Sequence, residues 1–69
     1  MDIRRKLGRK VQALRQEQAL SQEELADRAG LHRTYVSGVE RGVRNPTLTV
    51  LEKLALGLGV RLLDLMPND

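Results

Sequence analysis

The chain has no cysteine, so neither a disulfide framework nor a cysteine-ligated zinc site is open to it. Nowhere do eighteen apolar residues follow one another, which excludes a membrane-spanning helix. The N-terminus, MDIRRKLGRK, lacks the apolar run of a secretory signal, and a cytoplasmic location is expected. Catalytic equipment is missing as well. The single histidine, His32, has neither a second histidine nor a cysteine beside it to build a metal site. There is no Ser–His–Asp set and no phosphate-cradling glycine loop, so no enzyme, metal or cofactor is expected.

What remains is small and basic. Sixty-nine residues predict one domain, spanning 1–69, with a limited core for which dimerisation is a common remedy. Twelve Lys and Arg against nine Asp and Glu give a net charge of +3. Placement matters more than size here. Arg4, Arg5, Lys6, Arg9, Lys10 and Arg15 crowd the first fifteen residues against Asp2 alone. Such a run is either a solvated helix face or a surface that attracts the DNA backbone.

Residues 22–41, QEELADRAGLHRTYVSGVER, organise the rest. Leu25, Ala26 and Ala29 mark one buried helix face, and Leu31, Val36 and Val39 a second. Gly30 between them suits the left-handed residue that ends a helix. Ser21 and Glu24 have the spacing of a capping box at the start of the first of these helices. Two helices joined so tightly must cross steeply, with Ala26 small enough to allow close approach.

The other elements follow from the same signals. Ile3, Leu7, Val11 and Leu14 predict an amphipathic helix over residues 2 to about 18, capped by Asp2. Gly8 inside it costs roughly 1 kcal/mol relative to alanine, and close packing is the one reason the sequence suggests. Helices are expected at about 22–29, 33–41, 48–58 and 61–66, with Gly42 and Gly59 as stops and VRNP (43–46) as a loop. Either Thr47 or Thr49 can cap the fourth helix, whose inward face reads as Leu48, Leu51, Leu54, Ala55 and Leu58. Residues 67–69 are left as a tail.

The cap, the crossing Ala26, the turn Gly30 and the spacing of Val36 and Val39 together resemble the helix-turn-helix of the Cro and phage-repressor (XRE-like) family. That resemblance implies an all-α fold for nearly the whole chain: a compact five-helix, lambda-repressor-like domain with its helix-turn-helix at the second and third helices. The family usually carries glycine where this chain has Ala19. An alanine held left-handed costs on the order of 1 kcal/mol, so a different local turn is expected there. RTYVSGVERGVRNPT, residues 33–47, is similar to the same region of restriction–modification controller proteins, which are small dimeric regulators of their own promoter. Gly42 stands where some controllers carry a polar residue.

In helix-turn-helix geometry the second helix of the motif enters the major groove, and its N-terminal residues meet base edges. His32, Arg33, Thr34 and Ser37 are those residues here. Arg33 is the principal candidate because its planar fork can bond guanine O6 and N7 together; a phosphate contact is the alternative. Thr34 can donate, accept or touch a thymine methyl. His32 reads as a cap or a solvent-facing residue, and Gly38 can only allow close approach. Tyr35, the only aromatic residue, is either a half-buried packing residue or, as the resemblance implies, a hydroxyl that reaches a phosphate or base. Gln22 opens the preceding helix, where free N–H groups suit a phosphate. Arg44 and Asn45 are backbone contacts or a solvated loop.

Nine of the thirteen residues from 54 to 66 are Leu, Ala, Val or Met, more than a one-sided helix needs. Leu56, Leu62, Leu63, Leu65 and Met66 therefore read as a surface for a second copy, with a well-filled core end as the plainer account. The function expected is a homodimeric, sequence-specific transcriptional regulator on a palindromic double-stranded DNA operator, without a small-molecule effector. An antitoxin or another protein-binding helix-turn-helix module is the alternative.

Overall fold

A computed structural model describes residues 2–67. The described residues form five helices: α1 (Ile3–Glu17), α2 (Gln22–Ala29), α3 (Arg33–Glu40), α4 (Leu48–Leu58) and α5 (Leu62–Leu65). The tail expected at 67–69 lies outside the described residues except for Pro67.

Each helix starts where a side chain can serve its free N–H groups. Asp2 accepts from the Arg4 amide at 2.8 Å. The Ser21–Glu24 capping box is present in both directions, at 3.0 and 2.8 Å. Thr47, not Thr49, caps α4 by accepting from the Val50 amide at 3.2 Å. At α5 the Arg61 amide donates to the Asp64 carboxylate at 2.9 Å. Left-handed glycines, Gly30 and Gly59, close α2 and α4.

The α1–α2 turn departs from expectation. Ala19 does take the left-handed conformation, with φ of 57°. The amides of Ala19 and Leu20 donate to the carbonyls of Gln16 and Arg15, at 3.0 and 3.1 Å. That is the bond pair of a helix end closed by one left-handed residue. The strain persists because its surroundings fix it: Leu20 is buried in the core and its carbonyl accepts from Arg15 Nη1 at 2.8 Å.

α2 packs against α4, α1 against α3, and α5 closes the bundle against α4 and α1. Val11, Leu25, Val36, Val39, Leu54 and Leu65 are fully buried, with Leu7, Leu20, Ala26, Ala29, Leu51, Ala55 and Leu58 around them. Gly8 marks where α1 lies on the C-terminal end of α3, since a β-carbon there would strike the carbonyls of Val39 and Glu40. This explains a residue that weakens its own helix. Two expected core positions, Ile3 and Leu48, are exposed. Each opens its helix, and helical side chains lean toward the N-terminus, so both project off the end of the bundle.

Candidate nucleic-acid interface

The two sides of α3 have separate duties. Val36, Val39 and Glu40 face inward and are buried. Arg33 and Thr34 are exposed and Ser37 is half-buried on the other side, where Arg33 and Ser37, four residues apart, share one face. His32 is the cap of α3, its Nδ1 taking the Thr34 amide at 3.3 Å with the Thr34 hydroxyl 2.9 Å away. The histidine thus orders the first turn of α3. Across the motif, Ser21, Gln22 and Glu23 at the start of α2 line an open groove together with Arg15 and Arg33. The amino end of α2 and the first exposed residue of α3 are therefore neighbours, although eleven positions apart in sequence.

Beneath that groove lies a network that the sequence reading missed. Arg15 grips Glu40 with two hydrogen bonds, Nε to Oε2 at 2.7 Å and Nη2 to Oε1 at 3.0 Å. Gln22 Nε2 donates to the same Oε1 at 3.0 Å. The side chains of Arg15 and Glu40 are only 11% and 2% exposed. The hydrogen bonds to Glu40 hold the Arg15 guanidinium above its ordinary pKa, against the opposing pull of burial. Arg15 is thus withdrawn from the basic surface proposed for the first fifteen residues, and Gln22 is held in place by its side chain. The signal was available: Glu40 follows Val36 by four residues, so a carboxylate sits on an apolar stripe and must find a partner. Nothing in sequence named Arg15 as that partner.

Of the remaining cations, Arg4 is tied to Asp2 at 3.0 Å. Arg5 and Arg9 of α1 meet the exposed Arg41, at the end of α3, around one small hollow that Glu40 also lines. Positive charge there also suits the carbonyl end of a helix.

The loop residues part company. Arg44 turns onto α3, its guanidinium carbon 5.5 Å from the centroid of the half-buried Tyr35 ring. Asn45 instead lines a groove on the α1 side with Ile3, Arg4, Leu7, Pro46, Leu51, Met66 and Pro67. The leucine-rich end also sorts itself. Leu56 and Leu63 are 75% and 69% exposed, Met66 is exposed, and Leu62 is half-buried against the core. Leu65 is fully buried and cannot belong to a surface; it packs inside as part of the core. No group of three or more metal-ligating side chains occurs among the described residues. No described helix is long and apolar enough to cross a membrane.

Comparison with known proteins gives a consistent picture. Residues 11–65 match the family described as helix-turn-helix. An uncharacterized HTH-type transcriptional regulator of Sinorhizobium fredii, y4dJ, is 44% identical over 70 residues, covering 100% of this chain and 91% of that protein. The control protein C.BamHI of Bacillus amyloliquefaciens is 46% identical over 94% of this chain and 82% of its own length. Among solved structures, the restriction–modification controller protein C.AhdI from Aeromonas hydrophila superposes with a TM-score of 0.90 at 44% identity. That match covers 91% of this chain and 96% of that one.

Proposed function

Because the chain belongs to the helix-turn-helix family, and is by that membership a DNA-binding transcriptional regulator, we propose that it acts as a cytoplasmic homodimer on a two-fold-related operator. The proposal includes a role as a controller of a restriction–modification gene set, acting on its own promoter. Similarity to C.BamHI and C.AhdI supports that role.

One observation carries the DNA-reading assignment: α3 keeps Arg33, Thr34 and Ser37 off the core while Val36, Val39 and Glu40 anchor it from behind. Arg33 reads a guanine edge and Thr34 a neighbouring base. Ser37 and the Tyr35 hydroxyl serve as lesser contacts, and His32 keeps the first turn in shape. The amino end of α2, with Gln22 fixed by Glu40, receives a phosphate. Arg44 adds a contact beside α3, and Arg41 is a further phosphate candidate. Asn45 faces the other groove and contributes least. Leu56, Leu63 and Met66 form the contact with the second copy, edged by Leu62. Two copies would place their α3 helices in half-sites about one helical turn (roughly 34 Å) apart.

The test is an anisotropy titration with labelled duplex from immediately upstream of the gene, at physiological salt, against a scrambled duplex. Tight cooperative binding to the upstream duplex, lost in Arg33→Ala, is the expected result. Equal weak binding to both would overturn recognition of its own promoter and direct attention to a distant operator or a protein partner.

A further inference from the structure

Arg44 belongs to the loop after α3, yet its side chain rests on α3 itself. Backbone hydrogen bonds hold the loop there: the amides of Val43 and Arg44 both donate to the Gly38 carbonyl, at 3.0 and 3.3 Å. A β-carbon at residue 38 would stand 2.6 Å from Arg44 Cγ and 3.2 Å from its Nε. Non-bonded carbons keep about 3.5–4.0 Å apart. The stem of Arg44 therefore fills the volume that a side chain at residue 38 would occupy. Farther out, the guanidinium lies over the Tyr35 ring at 5.5 Å, within reach of cation–π attraction. Thr34 and Tyr35 lie four and three residues before Gly38, so all three share a flank of α3. Among the described residues no hydrogen bond uses the Arg44 guanidinium, whose edge stays available.

The geometry points to Gly38 as a positioning residue for DNA binding, one that acts through Arg44. The inference rests on the proposal that α3 faces DNA. A glycine in mid-helix weakens the helix, so its presence calls for a return elsewhere. Here the recognition helix borrows a side chain: Arg44 stands in for residue 38. Its long stem is seated and its head held over the Tyr35 ring before any duplex arrives, so less freedom is lost on binding. An alanine at residue 38 would unseat it. The anchored backbone of Arg44 keeps Cγ from simply sliding away, so the side chain must swing to another rotamer and leave Tyr35.

Five proteins test this against the upstream and scrambled duplexes: wild type, Gly38→Ala, Arg44→Ala, the double variant, and Arg33→Ala as the control for the parent reading. Gly38→Ala is expected to bind the upstream duplex roughly tenfold more weakly, as for the loss of one good DNA contact. Its melting temperature should be unchanged or higher, because alanine is the better helix former. In the Arg44→Ala background the same change should have no further effect. Independently of DNA, the Arg44 side-chain methylene protons should show ring-current shifts in the wild-type NMR spectrum that vanish in Gly38→Ala. Equal weakening in both backgrounds would overturn the inference and make Gly38 a clearance for the duplex itself. Unchanged affinity, or unchanged Arg44 shifts, in Gly38→Ala would overturn it too. Undiminished binding by Arg33→Ala would instead sink the reading of α3 as the DNA-facing helix.

Discussion

Ala19 and Glu40 each sit where their residue type is at odds with the position. The left-handed Ala19 costs about 1–2 kcal/mol in the folded state. Glycine there would remove that cost while giving back part of it through a freer unfolded chain. Ala19→Gly is expected to stabilise the domain by about 0.5 kcal/mol, a rise of roughly 2–4 °C in a melting experiment. Glu40 carries the opposite risk. Substituting it alone strands the Arg15 guanidinium in the interior, so Glu40→Leu should cost about 3 kcal/mol or more. For so small a domain that is a large share of its stability. Replacing both partners, as Arg15→Met with Glu40→Leu, should restore most of the loss in urea denaturation, since neither charge is then left buried. Near-identical midpoints for single and double variants would contradict the pairing as a stabilising unit. These two residues also mark the limit of sequence reading. A charge on an apolar stripe is visible as an anomaly, but its partner twenty-five residues away is set by how α1 crosses α3. At Ala19 the strain was legible, whereas the bonds that hold it come from the burial of Leu20.

The helices were more readable than their ends. Caps and stops are local chemistry, so Ser21 with Glu24, Gly30 and Gly59 could be placed from spacing alone. Thr47 and Thr49 could not be told apart, because each precedes a plausible first turn and the α3–α4 loop makes the choice. Ile3 and Leu48 matched the periodicity but lie where the bundle has already ended. The capping bonds predict a pH response. The Ser21 amide and hydroxyl hold the Glu24 carboxyl below its ordinary value, and the Arg61 side chain and amide do the same for Asp64. A carboxyl whose pKa is lower folded than unfolded stabilises in its ionised form. That contribution is complete above the ordinary carboxylate range and is lost as pH falls through and below it. Protection factors of the α2 amides, taken relative to the intrinsic exchange rate at each pH, should therefore fall on acidification through that range, and Glu24→Gln should flatten the dependence. At neutral pH, Ser21→Ala should cost about 1 kcal/mol by thermal melting.

For the whole molecule, the undecided surface is the leucine-rich end. Composition marked it, but a helix as short as α5, four residues, gives periodicity no purchase. Only packing separates the buried Leu65 from the exposed Leu63. If Leu56 and Leu63 meet a second copy, Leu56→Asp should give a monomer by sedimentation velocity and remove cooperativity from the DNA titration while the fold is kept. A persistent dimer would move the contact elsewhere. Affinity should also fall linearly with the logarithm of salt concentration, with a slope of about −0.9 for each phosphate neutralised. Arg41→Ala should reduce that slope by about one.

The division of labour within α3 bears on how such a protein can change its target over time. If Arg33, Thr34 and Ser37 read the operator, they can be exchanged at little cost to the interior, since the first two are exposed and the third is only half-buried, while Val36, Val39 and Glu40 preserve the scaffold. Position 38 is the exception. Because the Arg44 stem rests in the space it leaves empty, a larger residue there displaces that side chain from α3. A transplanted α3 surface that copies one without the other would carry an arginine unseated from its place on the helix.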